Sequence, residues 1–212
     1  MKQILIAFYF IPLLISCSDN AAHSKQTNFL ENNNNPIVTN SSNEKFNAQV
    51  EEWNRIFLEQ DESLQGNKRK KEMLHNINTF LLEEPNNFQA LSVRMRMFLN
   101  LKHYPDALQD LQKINQLKKD GILKFSECIL NEKLGTLDMP CYQSAINIYS
   151  ANIVKPESDL NYLLMLYMKS PEEARTKLEN LENKEKDPIF KEHINEILNS
   201  NRKDIVNNFF EN

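Results

Sequence analysis

The sequence predicts an all-α domain, and three observations carry that prediction. Apolar residues from Phe46 onward recur at the three-to-four-residue spacing of a helix face and do not alternate as in a half-buried strand. The chain has only three glycines, Gly66, Gly121 and Gly135, which leaves no glycine-rich phosphate loop and little material for tight turns between strands. Beyond the N-terminal segment, its prolines fall between the apolar stripes and interrupt none of them.

The first element is residues 1–16. Lys2 supplies a short positive start, and Ile4 to Ile15 form an uncharged, mostly apolar run. That run is too short to cross a hydrocarbon layer of roughly 30 Å as a helix, so it reads as a cleaved signal. Its end, Leu14-Ile15-Ser16-Cys17, resembles the lipobox of bacterial lipoproteins. The resemblance implies that Cys17 becomes the mature N-terminus and carries two or three acyl chains, enough for a lasting membrane anchor. Ser18 in the next position implies sorting to the outer membrane, facing the periplasm. Residues 17–45 follow as lipidated cysteine and tether. They are rich in Asn and Ser, with little to bury, and a flexible chain of this length spans about 30 Å.

Residues 46–199 contain nine stripes. Phe46, Val50, Trp53 and Phe57 mark the first, and Met73, Ile77, Phe80 and Leu81 the second, with Gly66-Asn67 read as the break between them. Phe88, Leu91, Met95 and Phe98 form the third; Ala107, Leu108, Leu111, Ile114 and Leu117 the fourth; Ile122, Phe125 and Ile129 the fifth. The sixth runs from Tyr142 to Ile153, the seventh from Leu160 to Tyr167, the eighth from Ala174 to Leu181, and the ninth from Phe190 to Leu198. Short breaks between them predict antiparallel neighbours. Ser170-Pro171-Glu172-Glu173 reads as a capping serine, first-turn proline and capping-box glutamate, and Asp187-Pro188 opens the last long helix in a similar way. Residues 200–212 are a tail or short helix.

The stretch from Leu81 to Leu117 resembles a tetratricopeptide repeat, a helix hairpin of 34 residues. With Phe88 as the first residue of the unit, Leu91, Phe98, Tyr104, Ala107, Leu111 and Leu117 fall on its large and small packing positions, while Arg94, Met95 and Lys119 depart from the pattern. Later units keep a weaker echo through Ala145 and Ala174. The expectation is a short, irregular array of stacked hairpins, with a plain helical bundle as the alternative. The resemblance also implies a groove lined by Gln89, Ser92, Arg96, Leu99 and Asn100, a mixture suited to a peptide carrying a carboxylate.

Removing residues 1–16 leaves 196 of 212 residues, with 24 basic against 29 acidic side chains. That balance, together with the export signal, argues against nucleic acid. None of His23, His75, His103 and His193 lies in an HExxH pattern or at metal-cluster spacing, and no GxSxG elbow is present. No cofactor, metal or catalysis is expected. Lys68, Arg69, Lys70 and Lys71 form a basic run near the start of the second helix, where the dipole disfavours them; they are a solvated end or a contact for an acidic surface.

Cys128 and Cys141 are the thiols left for a disulfide in an oxidising envelope. A hairpin turning through Gly135 to Pro140 would set Cys141 opposite Leu134, with Cys128 about 9 Å further along its helix. A bridge needs Cα atoms within about 7 Å, so pairing would require that helix to end early. The expected role is a lipid-anchored adaptor that binds another envelope protein. The alternative is an immunity or inhibitor protein acting on a secreted toxin.

Overall fold

The computed structural model describes residues 41–58, 63–151 and 153–210. The signal, Cys17 and the tether up to residue 40 lie outside the described residues. The described chain is all-α: α1 (Ser41–Leu58), α2 (Leu64–Glu83), α3 (Phe88–Asn100), α4 (Tyr104–Leu117), α5 (Gly121–Lys133), α6 (Met139–Ser150), α7 (Leu160–Lys169), α8 (Pro171–Lys184), α9 (Pro188–Asn199) and α10 (Arg202–Asn208), with a 3₁₀ turn at Pro156–Ser158. The nine stripes correspond to α1 to α9, except that Ile153, read into the sixth stripe, lies beyond the end of α6, and the tail contributes α10.

Two boundaries differ from the sequence expectation. α1 begins at Ser41, inside the stretch read as tether. Gly66 does not break the chain; it lies in the first turn of α2, where its N–H is taken by the Ser63 hydroxyl at 3.1 Å. A capped first turn tolerates glycine better than a helix interior does, because part of the backbone is already fixed by the cap.

From α2 to α9 each helix packs on the next, α1 also touches α3, and α7 touches α9. This is the neighbour-on-neighbour packing of a helical repeat or bundle. α10 departs from it by folding back on α5. The interior divides into two cores. Val50, Trp53, Ile77, Leu91, Leu111 and Ile114 belong to the first, whereas Tyr142, Leu163, Met165, Leu178 and Ile194 belong to the second. α5 serves both: Leu123 and Leu130, seven residues apart, face the first core, and Phe125, Cys128 and Ile129 face the second. Its sequence shows one stripe, yet it buries two. α7 is buried from Leu163 to Met168 without a break, because α6, α8 and α9 all pack against it.

Two hairpin turns set the register. α3 ends with the His103 N–H on the Phe98 carbonyl at 2.8 Å, and Lys102 takes the left-handed conformation at φ 58°. α5 ends likewise, with Thr136 N–H on the Asn131 carbonyl at 2.9 Å and Gly135 at φ 92°. Both are Schellman-type stops. After Gly135, three residues, Thr136 to Asp138, precede the start of α6. Extended chain rises about 3.3 Å per residue against 1.5 Å in a helix, so three residues are long enough to return about 10 Å. That reach removes the offset that argued against the disulfide without shortening α5. Cys128 and Cys141 are bonded, with Cα atoms 5.7 Å apart.

Gly121 opens α5 where α6 comes closest. A Cβ there would sit 2.5 Å from Cβ of Tyr149 and 2.6 Å from its Cα, so only glycine admits this approach. Asp120 caps the same turn, accepting from the N–H groups of Ile122 and Leu123. Asp187 caps α9 as the sequence predicts, accepting from Ile189 and Phe190. Ser170 acts differently from its expected role: its hydroxyl makes no cap. Its backbone instead joins two helices, donating to the Leu166 carbonyl of α7 and accepting from Ala174 of α8.

Candidate functional site

The groove residues all lie on α3, and the structure separates them. Gln89 and Asn100 are exposed, Leu99 is half-buried, and Ser92 and Arg96 are buried. Arg96 is only 8% exposed, because α1 lies against this helix and Asn54 of α1 accepts a hydrogen bond from its guanidinium. Burial holds its pKa below the ordinary guanidinium range. The Ser92 hydroxyl is used internally, donating to the Phe88 carbonyl at 2.7 Å. Arg96 therefore serves as a seat for α1 in this conformation, and the face expected to meet a foreign carboxylate meets α1 first.

The basic run lies beyond the first turn of α2, where the dipole penalty has faded. Lys68 and Lys71 are exposed and Arg69 and Lys70 half-buried, with Lys68 3.7 Å from Glu72.

Arg94, a misfit in the repeat pattern, has a specific partner. It forms a two-pronged ion pair with Asp110 at 2.6 and 2.8 Å and also donates to Asn78 at 2.8 Å. Asp110 is 3% exposed. Residues 94 and 110 stand equally far on either side of Lys102, so the hairpin register was the signal that could have paired them. A second network ties α10 to the array. Arg202 donates to both oxygens of Glu132 at 2.6 and 2.7 Å, and the Tyr142 hydroxyl donates to the same carboxylate at 2.6 Å. Arg202 also donates to the Met168 carbonyl. Burial, then Glu132, raises the Tyr142 pKa; burial acts to lower that of Arg202, but Glu132 and Tyr142 together outweigh it and leave it raised. Both networks are structural cross-links between helices.

Compared with protein families, curated proteins and solved structures, the chain matches none of them. What the arrangement can do chemically must therefore be read from its surfaces. Among the described residues, no three His, Cys, Asp or Glu side chains converge as a metal set, and no helix is long and apolar enough to cross a membrane.

Two clefts remain. One, of about 560 Å³, lies over α5 between α4 and α6 and is polar: Gln112, Asn115, Gln116, Lys119 and Ser144 line it. Its Glu127 is already engaged by Lys124 at 2.9 Å and by Asn115 at 2.7 Å. The other, of about 380 Å³, lies between the N-terminal half of α7 and the length of α9 from its cap Asp187 to Ile197. Leu160, Leu164, Ile189, Phe190 and Ile197 supply its apolar lining, with Asp159, Asp187 and Glu196 among them. Sequence reading did not find it, because its two walls come from helices that are not consecutive.

Proposed function

We propose that this is a lipid-anchored envelope protein whose helical domain binds a protein partner and performs no reaction of its own. One juxtaposition carries the reading: the lipobox-like Leu14-Ile15-Ser16-Cys17 stands ahead of helix hairpins that pack each on the next. Such stacking presents a long, rigid surface on which recognition can be spread over several helices. The acyl chains would hold the domain at the outer membrane, and the tether would let it reach a periplasmic partner.

The test has two parts. Cys17→Ala is expected to abolish lipid attachment and change how the protein partitions with membrane; unchanged partitioning of a processed form refutes the anchor. Affinity capture of the lipidated chain from its own envelope, followed by mass spectrometry, is expected to return a stoichiometric protein. Capture that returns none refutes the adaptor role. The acidic balance of the mature chain favours one second reading, neutralisation of a secreted toxin. In that case deletion harms cells only on exposure to kin, whereas loss of an adaptor gives a cell-autonomous envelope defect.

A further inference from the structure

We propose that the cleft between α7 and α9 receives a segment of a protein partner in which one aromatic or branched aliphatic side chain stands beside a lysine or arginine. The proposal rests on the adaptor reading and names the chemistry of its partner.

The apolar part of the argument is the lining. At about 380 Å³ the cleft is at the small end of ligand-sized pockets, which start near 300 Å³, and suits one large side chain better than a whole helix. Ile189 at its mouth is 61% exposed, and Leu160 and Phe190 are half-buried, so apolar surface is already formed and still wet. Filling it removes that surface from water without rearranging the core, since Leu164 and Ile197 beneath are buried against the second core.

The charge argument decides the neighbour of that side chain. No lysine or arginine lines the cleft, and three carboxylates do. Two of them cap helices. Asp159 Oδ1 accepts from Asn161, Tyr162 and the Tyr149 hydroxyl, and Asp187 Oδ1 accepts from Ile189 and Phe190. Their Oδ2 atoms, and the carboxylate of Glu196, have no hydrogen bond or ion pair among the described residues. Each helix N-terminus contributes about half a positive charge, so two termini offset about one of the three carboxylates and leave a net of roughly −2 at the rim. A cation is drawn there and an acidic segment repelled. His193 Nδ1 lies 2.7 Å from the Ile189 carbonyl, which helps fix the orientation of the wall it forms.

The experiment uses the full chain and a dye-labelled peptide, Gly-Lys-Phe-Leu-Arg-Gly, read by fluorescence anisotropy. Two control peptides replace either the basic residues by glutamate or the Phe-Leu pair by alanines. Saturable binding of the first peptide is expected, with both controls weaker by at least about tenfold. Glu196→Lys and Ile189→Ser alter the rim and mouth, and circular dichroism checks their folding; each is expected to weaken the peptide by about tenfold or more. Equal binding of the glutamate peptide, or undiminished binding by both folded variants, overturns the proposal. Self-association of the chain that is lost on reversing Lys70 and Lys71 also overturns it, because the occupant would then be a second copy. If a captured envelope partner binds the variant carrying both Glu196→Lys and Ile189→Ser as tightly as the parent chain, the cleft assignment falls and the adaptor role stands. If the peptide binds at the cleft while the lipidated chain captures no protein, the adaptor role falls and the cleft stands.

Discussion

Gly121→Ala adds one methyl group, and the structure says what that group must displace. An ideal Cβ at this position lies 2.5 Å from Cβ, 2.6 Å from Cα and 2.7 Å from N of Tyr149. Carbon atoms in good contact stand about 3.5–4.0 Å apart, so α5 and α6 have to part by about 1 Å at this point. Two of the three atoms are backbone, and no rotamer of Tyr149 relieves them. Nor can the pair simply slide apart, because Cys128 and Cys141 bridge the same two helices. The movement falls instead on the first turn of α5, where Asp120 caps the helix and Leu123 enters the first core. Overpacking of this kind costs about 1–3 kcal/mol. The gain of alanine over glycine is about 0.5–1 kcal/mol in a helix interior and smaller at the first residue, so the clash wins. A domain of this size loses roughly 2–4 °C in Tm per kcal/mol, which gives an expected drop of about 2–12 °C in a thermal melt followed by circular dichroism. Gly135→Ala is the control: nothing lies within 4 Å of its Cβ, and its cost of about 1 kcal/mol comes only from φ 92°. An unchanged midpoint for Gly121→Ala refutes the reasoning. So does a loss that disappears in a Tyr149→Gly background, since that would place the clash on the side chain and not on the backbone.

Three further outcomes are expected. Asp110→Ala leaves Arg94 half-buried without its ion-pair partner and is expected to cost about 2–4 kcal/mol, most of which returns when Arg94 becomes leucine as well; a double-mutant cycle in urea shows this, and additive losses would refute the coupling. Lys102→Gly removes a left-handed residue with a Cβ and is expected to raise stability by about 1 kcal/mol, seen as a higher urea midpoint with an unchanged slope. Burial, which outweighs the Asn161 hydrogen bond, and Asp159 together push the Tyr149 hydroxyl up to about 12 from its ordinary 10. The folded state therefore holds this proton more tightly than the unfolded chain, so its contribution is intact below about pH 10 and is lost as pH rises to about 12. Tyr149→Phe is expected to flatten that alkaline limb of the urea midpoint, and an unaltered limb would show that Tyr149 does not govern it.

The helices were legible because their apolar period persists through every segment, and the breaks between stripes are short. What was not legible depends on how elements turn back. A single stripe on α5 gave no sign that Leu123 and Leu130 face one core while Phe125 and Ile129 face another, since both sets are apolar. The disulfide was open for a similar reason. Its two cysteines were visible, but how far the three residues after Gly135 carry the chain back decides whether they meet. Arg94 was visible as an exception to a repeat, and its explanation required only the turn at Lys102 and the register that follows from it. The network of Glu132, Tyr142 and Arg202 was beyond such reasoning, because a tail that folds back on α5 breaks the rule that neighbours in sequence are neighbours in space.

Arg96 shows where carrying a binding face over by position stops being safe. The repeat pattern places this side chain on an open face of α3, and the pattern is silent on what precedes the unit. Here α1 precedes it. Val50 and Trp53 give α1 an apolar face that must be covered, and α3 lies where it can cover that face. Once α1 has docked, the guanidinium is largely removed from water, and the Asn54 carbonyl becomes part of what replaces its hydration. Removing a cation from water is costly, and that burial is what lowers its pKa. Exposed position and exposed side chain are thus separate facts. The cleft between α7 and α9 has the opposite history: nothing in its spacing marks it, yet among the described residues it is open, because none of the described helices lies over Ile189 in the way that α1 lies over Arg96.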